Sequence, residues 1–112
     1  MDSVIDVVVL EQLKEMLGDD FVLILDSFRA EGKSIMLSME QGSEASDMTA
    51  MKEGAHAMKS MSGNVGAMML SDLSDKLQIA AANGDADSVA DLWPQVKSQF
   101  SAALDELETH SN

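Results

Sequence analysis

The segment that decides the fold is residues 21–39, which read FVLILDSFRAEGKSIMLSM. Its apolar and small positions recur at spacings of 4, 3, 4, 3 and 4 residues. This periodicity is typical of the buried face of a helix in a bundle. The pattern therefore predicts a long helix that begins near Asp19 and Asp20 and has as its seam Phe21, Leu25, Phe28, Gly32, Ile35 and Met39.

Helical periodicity continues on both sides of this segment. A short first helix is predicted over residues 7–17, with Asp6 as its N-cap and Gly18 as its stop. Beyond the seam, the small and polar residues 42–46 are predicted to form the loop before a third helix.

Two further helices are predicted after the third. The fourth ends at residues 83–84, Asn-Gly, and the fifth runs from about residue 85 to near residue 108. Pro94 lies inside the fifth helix, and because proline has no backbone N–H we expect a kink or a restart there. The predicted seams are Leu70, Leu73, Leu77 and Ala80 in the fourth helix, and Val89, Trp93, Val96, Phe100, Ala103 and Leu107 in the fifth.

Helix-forming residues dominate the chain, and aromatic and β-branched residues are too sparse for strands. We therefore predict an all-α fold, an antiparallel four-helix bundle with a short additional N-terminal helix. A length of 112 residues fits one domain over residues 1–112, with disordered ends at 1–5 and 109–112.

Composition limits the classes of partner. With 20 acidic and 7 basic residues the net charge is −13, which disfavours nucleic acid and anionic membranes as partners. No apolar run reaches the roughly 20 residues needed to span a bilayer, and no signal peptide is visible at the start. The chain has no cysteine, so disulfides and cysteine-based zinc sites are excluded. We expect a cytoplasmic monomer without a metal site.

The candidate centre of chemistry is His56, on the third helix. At helical spacing its face also carries Lys52, Lys59, Ser60 and Gly63. The opposite face is an apolar stripe of Met51, Ala55, Met58, Ser62 and Val65. A buried stripe behind the histidine predicts an imidazole that points into solvent.

The surroundings of His56 suit a phosphoryl group. Residues 48–71 carry two lysines and one glutamate, a local balance of +1 in an acidic chain. A free imidazole is largely neutral at pH 7 and keeps a lone pair for attack on phosphorus. Lys59, one turn onward, can pair with the phosphoryl oxygens, while Ser60 and Gly63 leave room for a partner.

The chain shows none of the sequence motifs of a kinase. There is no Gly-rich phosphate loop, Walker lysine motif or catalytic-loop pattern, so nucleotide binding is not expected. The phosphoryl group would have to come from another protein. We therefore expect a stoichiometric phosphocarrier and not an enzyme.

Residues 56–67 resemble the signature of bacterial-type histidine phosphotransfer (HPt) domains, which reads roughly H-x-L-K-G-S-x-x-x-x-G-A. The matching positions are His56, Lys59, Gly66 and Ala67. The departures are Met58 for leucine, Ser60 for glycine and Met61 for serine. Leucines of the fourth helix and the Gly-Asp-Asp-Phe segment at 18–21 extend the resemblance over nearly the whole chain.

The resemblance implies a role in a two-component phosphorelay. His56 would accept a phosphoryl group on Nε2 from the aspartyl phosphate of a receiver domain and pass it to another receiver's aspartate. It further implies that Lys59 neutralises charge, that Gln78 lies near the ring, and that Mg²⁺ is held by the receiver while this chain has no cofactor of its own. Lys52, Ser60 and Gly63 are candidates for receiver docking.

The residues allow three other interpretations. Glu53 and His56 have the spacing of a di-metal carboxylate bundle, but a second copy is missing because Leu107 precedes His110 where glutamate is required. Ser88 resembles the attachment site of an acyl carrier protein, but only 24 residues follow it, and a helix-start role fits better. The third is a non-catalytic four-helix adaptor that binds receiver or kinase domains without phosphotransfer.

Overall fold

The computed structural model describes residues 5–109, and within them the chain is all helical. This confirms the predicted fold class. Gly18–Asp20 forms a single 3₁₀ turn between the first two helices. The five α-helices are α1 (Val7–Leu17), α2 (Phe21–Glu44), α3 (Met48–Asn64), α4 (Met68–Ala82) and α5 (Ala86–Thr109).

The core lies between the predicted seams of α2 to α5. On α2, five of the six seam positions are buried and Ile35 is half-buried. Phe28 stacks on Phe100 of α5 with ring centroids 5.5 Å apart, and Gly32 lies directly under the Phe100 ring. The absence of a side chain at Gly32 therefore lets α5 approach α2 closely.

The loop predicted at residues 42–46 begins later than expected, because α2 continues through Glu44. Gly42 is buried, and a Cβ at this position would lie 2.9 Å from the Cβ of Ala50 on α3. This glycine serves close helix packing and does not end the helix. The turn is reduced to Ala45 and Ser46, after which Asp47 caps α3 by accepting a hydrogen bond from Ala50 N at 3.1 Å.

Pro94 does not make the fifth helix restart, because α5 is one continuous helix from Ala86 to Thr109. The ring of Pro94 is exposed, and so is Ala90, whose carbonyl would otherwise accept the missing hydrogen bond. At an exposed position, hydration of a carbonyl that has lost its helical partner lowers the cost of an interior proline.

The short helix α1 is attached to the loop between α3 and α4. Asp6 caps α1 by accepting hydrogen bonds from Val8 N and Val9 N, and its own backbone N–H donates to Gly66 O at 2.8 Å. Gly66 has a φ of 81°, a conformation that favours glycine. Ile5, just before the cap, is fully buried.

The chain ends are described only in part. Of the ends expected to be disordered, 1–5 and 109–112, residues 1–4 and 110–112 lie outside the described residues, as does His110. Ile5 is buried and Thr109 closes α5. Across residues 5–109, no helix combines the length and the apolar character needed to cross a membrane.

Candidate functional site

His56 is exposed on α3, on the side that faces away from the core. Its orientation follows from the stripe on the opposite side of the helix, where all five predicted positions are buried. Ser62, the polar member of that stripe, satisfies its hydroxyl by donating to Met58 O at 2.6 Å. The stripe fixes the rotation of α3, so the imidazole is presented to solvent.

Gln78 of α4 lies beside the ring, with its side-chain amide nitrogen 3.1 Å from His56 Nδ1. In that orientation the amide donates to an unprotonated Nδ1, and the ring proton of a neutral imidazole is on Nε2. Turning the amide over presents its oxygen, which accepts from Nδ1–H and leaves the lone pair on Nε2. Gln78 can therefore hold the ring in either tautomer, including the one that reacts at Nε2.

Lys59 forms an ion pair with a residue that the sequence interpretation overlooked. Its Nζ lies 3.0 Å from Oδ1 of Asp75 on α4, and the two side chains are 46% and 42% exposed. The local balance of +1 counted along residues 48–71 is therefore incomplete, since α4 brings a carboxylate beside the lysine. The ammonium next to His56 is already paired.

The other candidate residues lie along the same side of α3. Lys52 and Ser60 are exposed one turn before and one turn after His56. Gly63 is partly exposed, and a Cβ there would meet only Ser71 Oγ at 3.7 Å. The structure thus leaves open space around the ring on the α3 side.

A model of the Hpt domain family matches residues 23–110 of the chain. The chain belongs to this family. The structure is also similar to the crystal structure of histidine-containing phosphotransfer protein B (HptB) from Pseudomonas aeruginosa PAO1, with a TM-score of 0.88 and 26% sequence identity over 94% of this chain and 91% of that one. The comparison with curated proteins gives no match.

Membership settles the broad role of this Hpt domain. It is a phosphotransfer protein of two-component signalling, in a family of phosphocarriers that act without being enzymes. Proteins of this family interact with receiver domains. The resemblance found in the residues around His56 is confirmed at this level.

The candidate site is built on two antiparallel helices, α3 and α4, whose side chains pair in register. Gln78 on α4 lies opposite His56 on α3. One turn further along α3 is Lys59, and one turn earlier on α4 is Asp75, and these two side chains also lie opposite each other. Ser71, a further turn back, donates its hydroxyl to the backbone carbonyl of Lys59 at 3.0 Å. This pairing could have been used to predict the contact of Asp75. Once Gln78 is placed near the ring, the antiparallel arrangement of α3 and α4 puts Asp75 near Lys59.

The hydrogen bonds of Ser88 bear on its comparison with an acyl carrier protein. The backbone N–H and hydroxyl of Ser88 both donate to the carboxylate of Asp85, at 3.2 and 2.7 Å, which lowers the pKa of Asp85. Ser88 therefore has a helix-start role in α5. In the part of the chain that the structure describes, no three His, Cys, Asp or Glu side chains are grouped so that they could hold a metal ion.

Proposed function

We propose that this Hpt domain carries a phosphoryl group on Nε2 of His56, accepting it from the aspartyl phosphate of one receiver domain and passing it to the aspartate of another. The observation that carries the proposal is the exposed imidazole whose other nitrogen, Nδ1, is held by Gln78 at 3.1 Å. A ring held at Nδ1 presents Nε2 outward in a defined direction, as transfer between two proteins requires.

The transfer step balances without a nucleotide. The lone pair on Nε2 attacks phosphorus, a P–N bond forms, and the P–O bond to the receiver's aspartate breaks, so that the electron pair leaves with the carboxylate. The proton on Nδ1 stays on the ring, and Nδ1–H donates a hydrogen bond to the amide oxygen of Gln78 once the amide is turned over. Lys59 supplies positive charge to the phosphoryl oxygens, and Mg²⁺ on the receiver does so from the other side. The reverse sequence delivers the group to the next receiver.

Receiver docking would use the open surface around the ring. Lys52, Ser60 and Gly63 lie on this surface, and Ile79, which follows Gln78 on α4, is 53% exposed. Small and apolar side chains around a reactive centre suit a modest interface that forms and dissociates quickly. In this proposal the chain acts as a monomer in the cytoplasm.

Transfer of label from phosphorylated receivers tests the proposal. Receivers are first phosphorylated with labelled acetyl phosphate and then mixed with the chain. Label on the chain is followed with time. His56→Gln should abolish labelling, whereas His110→Gln, which removes the other histidine of the chain, should retain it. Acid-labile, base-stable label is expected for a phosphohistidine.

The same experiment separates the carrier from a non-catalytic adaptor. An adaptor would bind receivers but acquire no label, and His56→Gln would leave its binding unchanged. Label that persists in His56→Gln, or binding by the unmodified chain without any labelling from the receivers of its source cell, would overturn the carrier role.

A further inference from the structure

We propose that Asp75 is a positioning residue for Lys59 that competes with the phosphoryl group for its ammonium, and so limits how stable phosphorylated His56 becomes. The inference rests on the proposed function of His56. Residues of α3 favour phosphorylation, and the inference adds a residue of α4 that opposes it.

The geometry holds Lys59 between two alternative partners. Lys59 is three residues beyond His56 on α3, on the same face, so its ammonium can reach a group attached to Nε2. Its present partner is Asp75 Oδ1, at 3.0 Å. The backbone of Lys59 is held in place by Ser71, whose hydroxyl donates to its carbonyl at 3.0 Å. The flexible side chain can therefore change partner while its helix stays fixed.

The charges favour exchange when His56 is phosphorylated. Both members of the ion pair are close to half exposed, and pairs of this kind are weak because water screens them. A phosphoryl group carries more negative charge than a carboxylate and offers three strong acceptor oxygens. The ammonium is therefore expected to move from Asp75 to the phosphoryl group.

The exchange has a cost that arises at Asp75. Its carboxylate loses its partner and then lies near a dianion, where like charges repel. Both effects raise the free energy of the phosphorylated state and leave the unmodified state unchanged or more stable. A carrier needs this opposition, because a phosphoryl group held too firmly on the ring would not pass to the next aspartate.

The first test measures the equilibrium of phosphoryl transfer between a receiver and His56. Asp75→Asn should shift the equilibrium towards phosphorylated His56 by roughly threefold to tenfold. Asp75→Glu, which restores the carboxylate, should return it towards the unmodified value. Asp91→Asn removes the same charge from an exposed position on α5 and should have no effect. In a Lys59→Ala background the effect of Asp75→Asn should shrink, because only repulsion remains.

The second test does not depend on any receiver. Phosphoramidate, which phosphorylates imidazole directly, is used to modify His56, and ³¹P NMR follows the phosphoryl group as pH is varied. Asp75→Asn should lower the pH at which the group loses its last proton, because a neighbouring negative charge is gone and the ammonium is free. Lys59→Ala should raise it. Circular dichroism checks that each variant is folded.

The two tests separate the inference from the proposed function. If phosphoramidate modifies His56 but receivers do not, the carrier role fails, while the ³¹P titration still decides the role of Asp75. If Asp75→Asn behaves like Asp91→Asn in the titration, the inference is overturned even when receivers label His56. Absence of any phosphoramidate labelling at His56 would overturn both, since each requires a reactive Nε2.

Discussion

Substituting two helical glycines with alanine should have opposite effects on stability. Gly32 lies in the middle of α2, beneath the ring of Phe100, and an added Cβ would approach Phe100 Cζ to 2.7 Å. That ring is buried and stacked on Phe28, so it cannot swing aside without breaking the aromatic contact. Overpacking of this kind costs about 1 to 3 kcal/mol.

The helix propensity of alanine offsets part of that cost. Replacing glycine by alanine inside a helix stabilises the folded state by up to about 1 kcal/mol. A separation of 2.7 Å places the overpacking cost in the upper part of its range, at about 2 to 3 kcal/mol, so Gly32→Ala should destabilise the bundle by about 1 to 2 kcal/mol. Gly63 is the matched control, because a Cβ there meets only Ser71 Oγ at 3.7 Å, an ordinary van der Waals distance. Gly63→Ala should stabilise by about 0.5 to 1 kcal/mol.

Urea unfolding measures both changes. Trp93 is the single tryptophan, is 4% exposed and donates its indole N–H to Glu40 at 2.8 Å, so its fluorescence reports loss of the core. The slope of free energy against urea should stay constant while the midpoint moves in opposite directions for the two variants. Equal stability of Gly32→Ala and Gly63→Ala would refute the close contact between α2 and α5.

Four further changes test the site and the core. Gln78→Leu should slow phosphorylation of His56 about fivefold, since one net hydrogen bond contributes about 1 kcal/mol; an unchanged initial rate would show that the amide does not hold Nδ1. Lys59→Ala should slow transfer or shorten the phosphohistidine lifetime while changing the free energy of unfolding by less than about 0.5 kcal/mol, and unchanged kinetics would remove Lys59 from the mechanism. Leu77→Ala should destabilise by about 2 to 5 kcal/mol in urea, and a loss below about 1 kcal/mol would mean that the seam of α4 is misassigned. Hydrogen bonds from Ser88 lower the pKa of Asp85, so this carboxylate stabilises the fold at neutral pH, and its contribution is lost as pH falls through the lowered pKa. The difference in free energy of unfolding between the unmodified chain and Asp85→Asn should therefore shrink on acidification. A difference that does not depend on pH would contradict the assignment.

Local signals were sufficient to predict most of the fold. The first helix has the predicted bounds because Asp6 supplies its side chain to the first N–H groups and Gly18, with a φ of 55°, follows the last residue. The seams of α4 and α5 were predictable because burial requires apolar residues at helical spacing. In these places neighbouring residues carry all of the information.

The errors occurred where tertiary packing outweighed a local signal. Gly42 has the sequence appearance of a helix stop, but it is retained inside α2 because Ala50 of α3 lies against it. Pro94 predicted a kink or a restart of the helix, and the restart does not occur, because α5 is continuous from Ala86 to Thr109. The continuation of α2 through Gly42 cannot be predicted without knowing which helix lies next to it.

The same distinction applies to the site. The exposed position of His56 follows from the periodicity of one helix and was predictable. The pairing of Lys59 with Asp75 depends on the alignment of α3 with α4, which no pattern within either helix reveals. Charge counted along the sequence therefore missed a carboxylate that is distant in the chain and adjacent in space.

The two-helix construction makes the chemistry of the site sensitive to the core. Each residue advances an α-helix by about 100°, so even a partial rotation of α3 would carry His56 and Lys59 away from Gln78 and Asp75 together. The buried stripe on the far side of α3 opposes such a rotation, and Ala55, directly before His56, is fully buried in it. A larger side chain at Ala55 would turn or displace α3 and loosen both cross-helix contacts at once. Loss of phosphotransfer in such a variant would therefore reflect the setting of the helix, even though every polar residue of the site is intact.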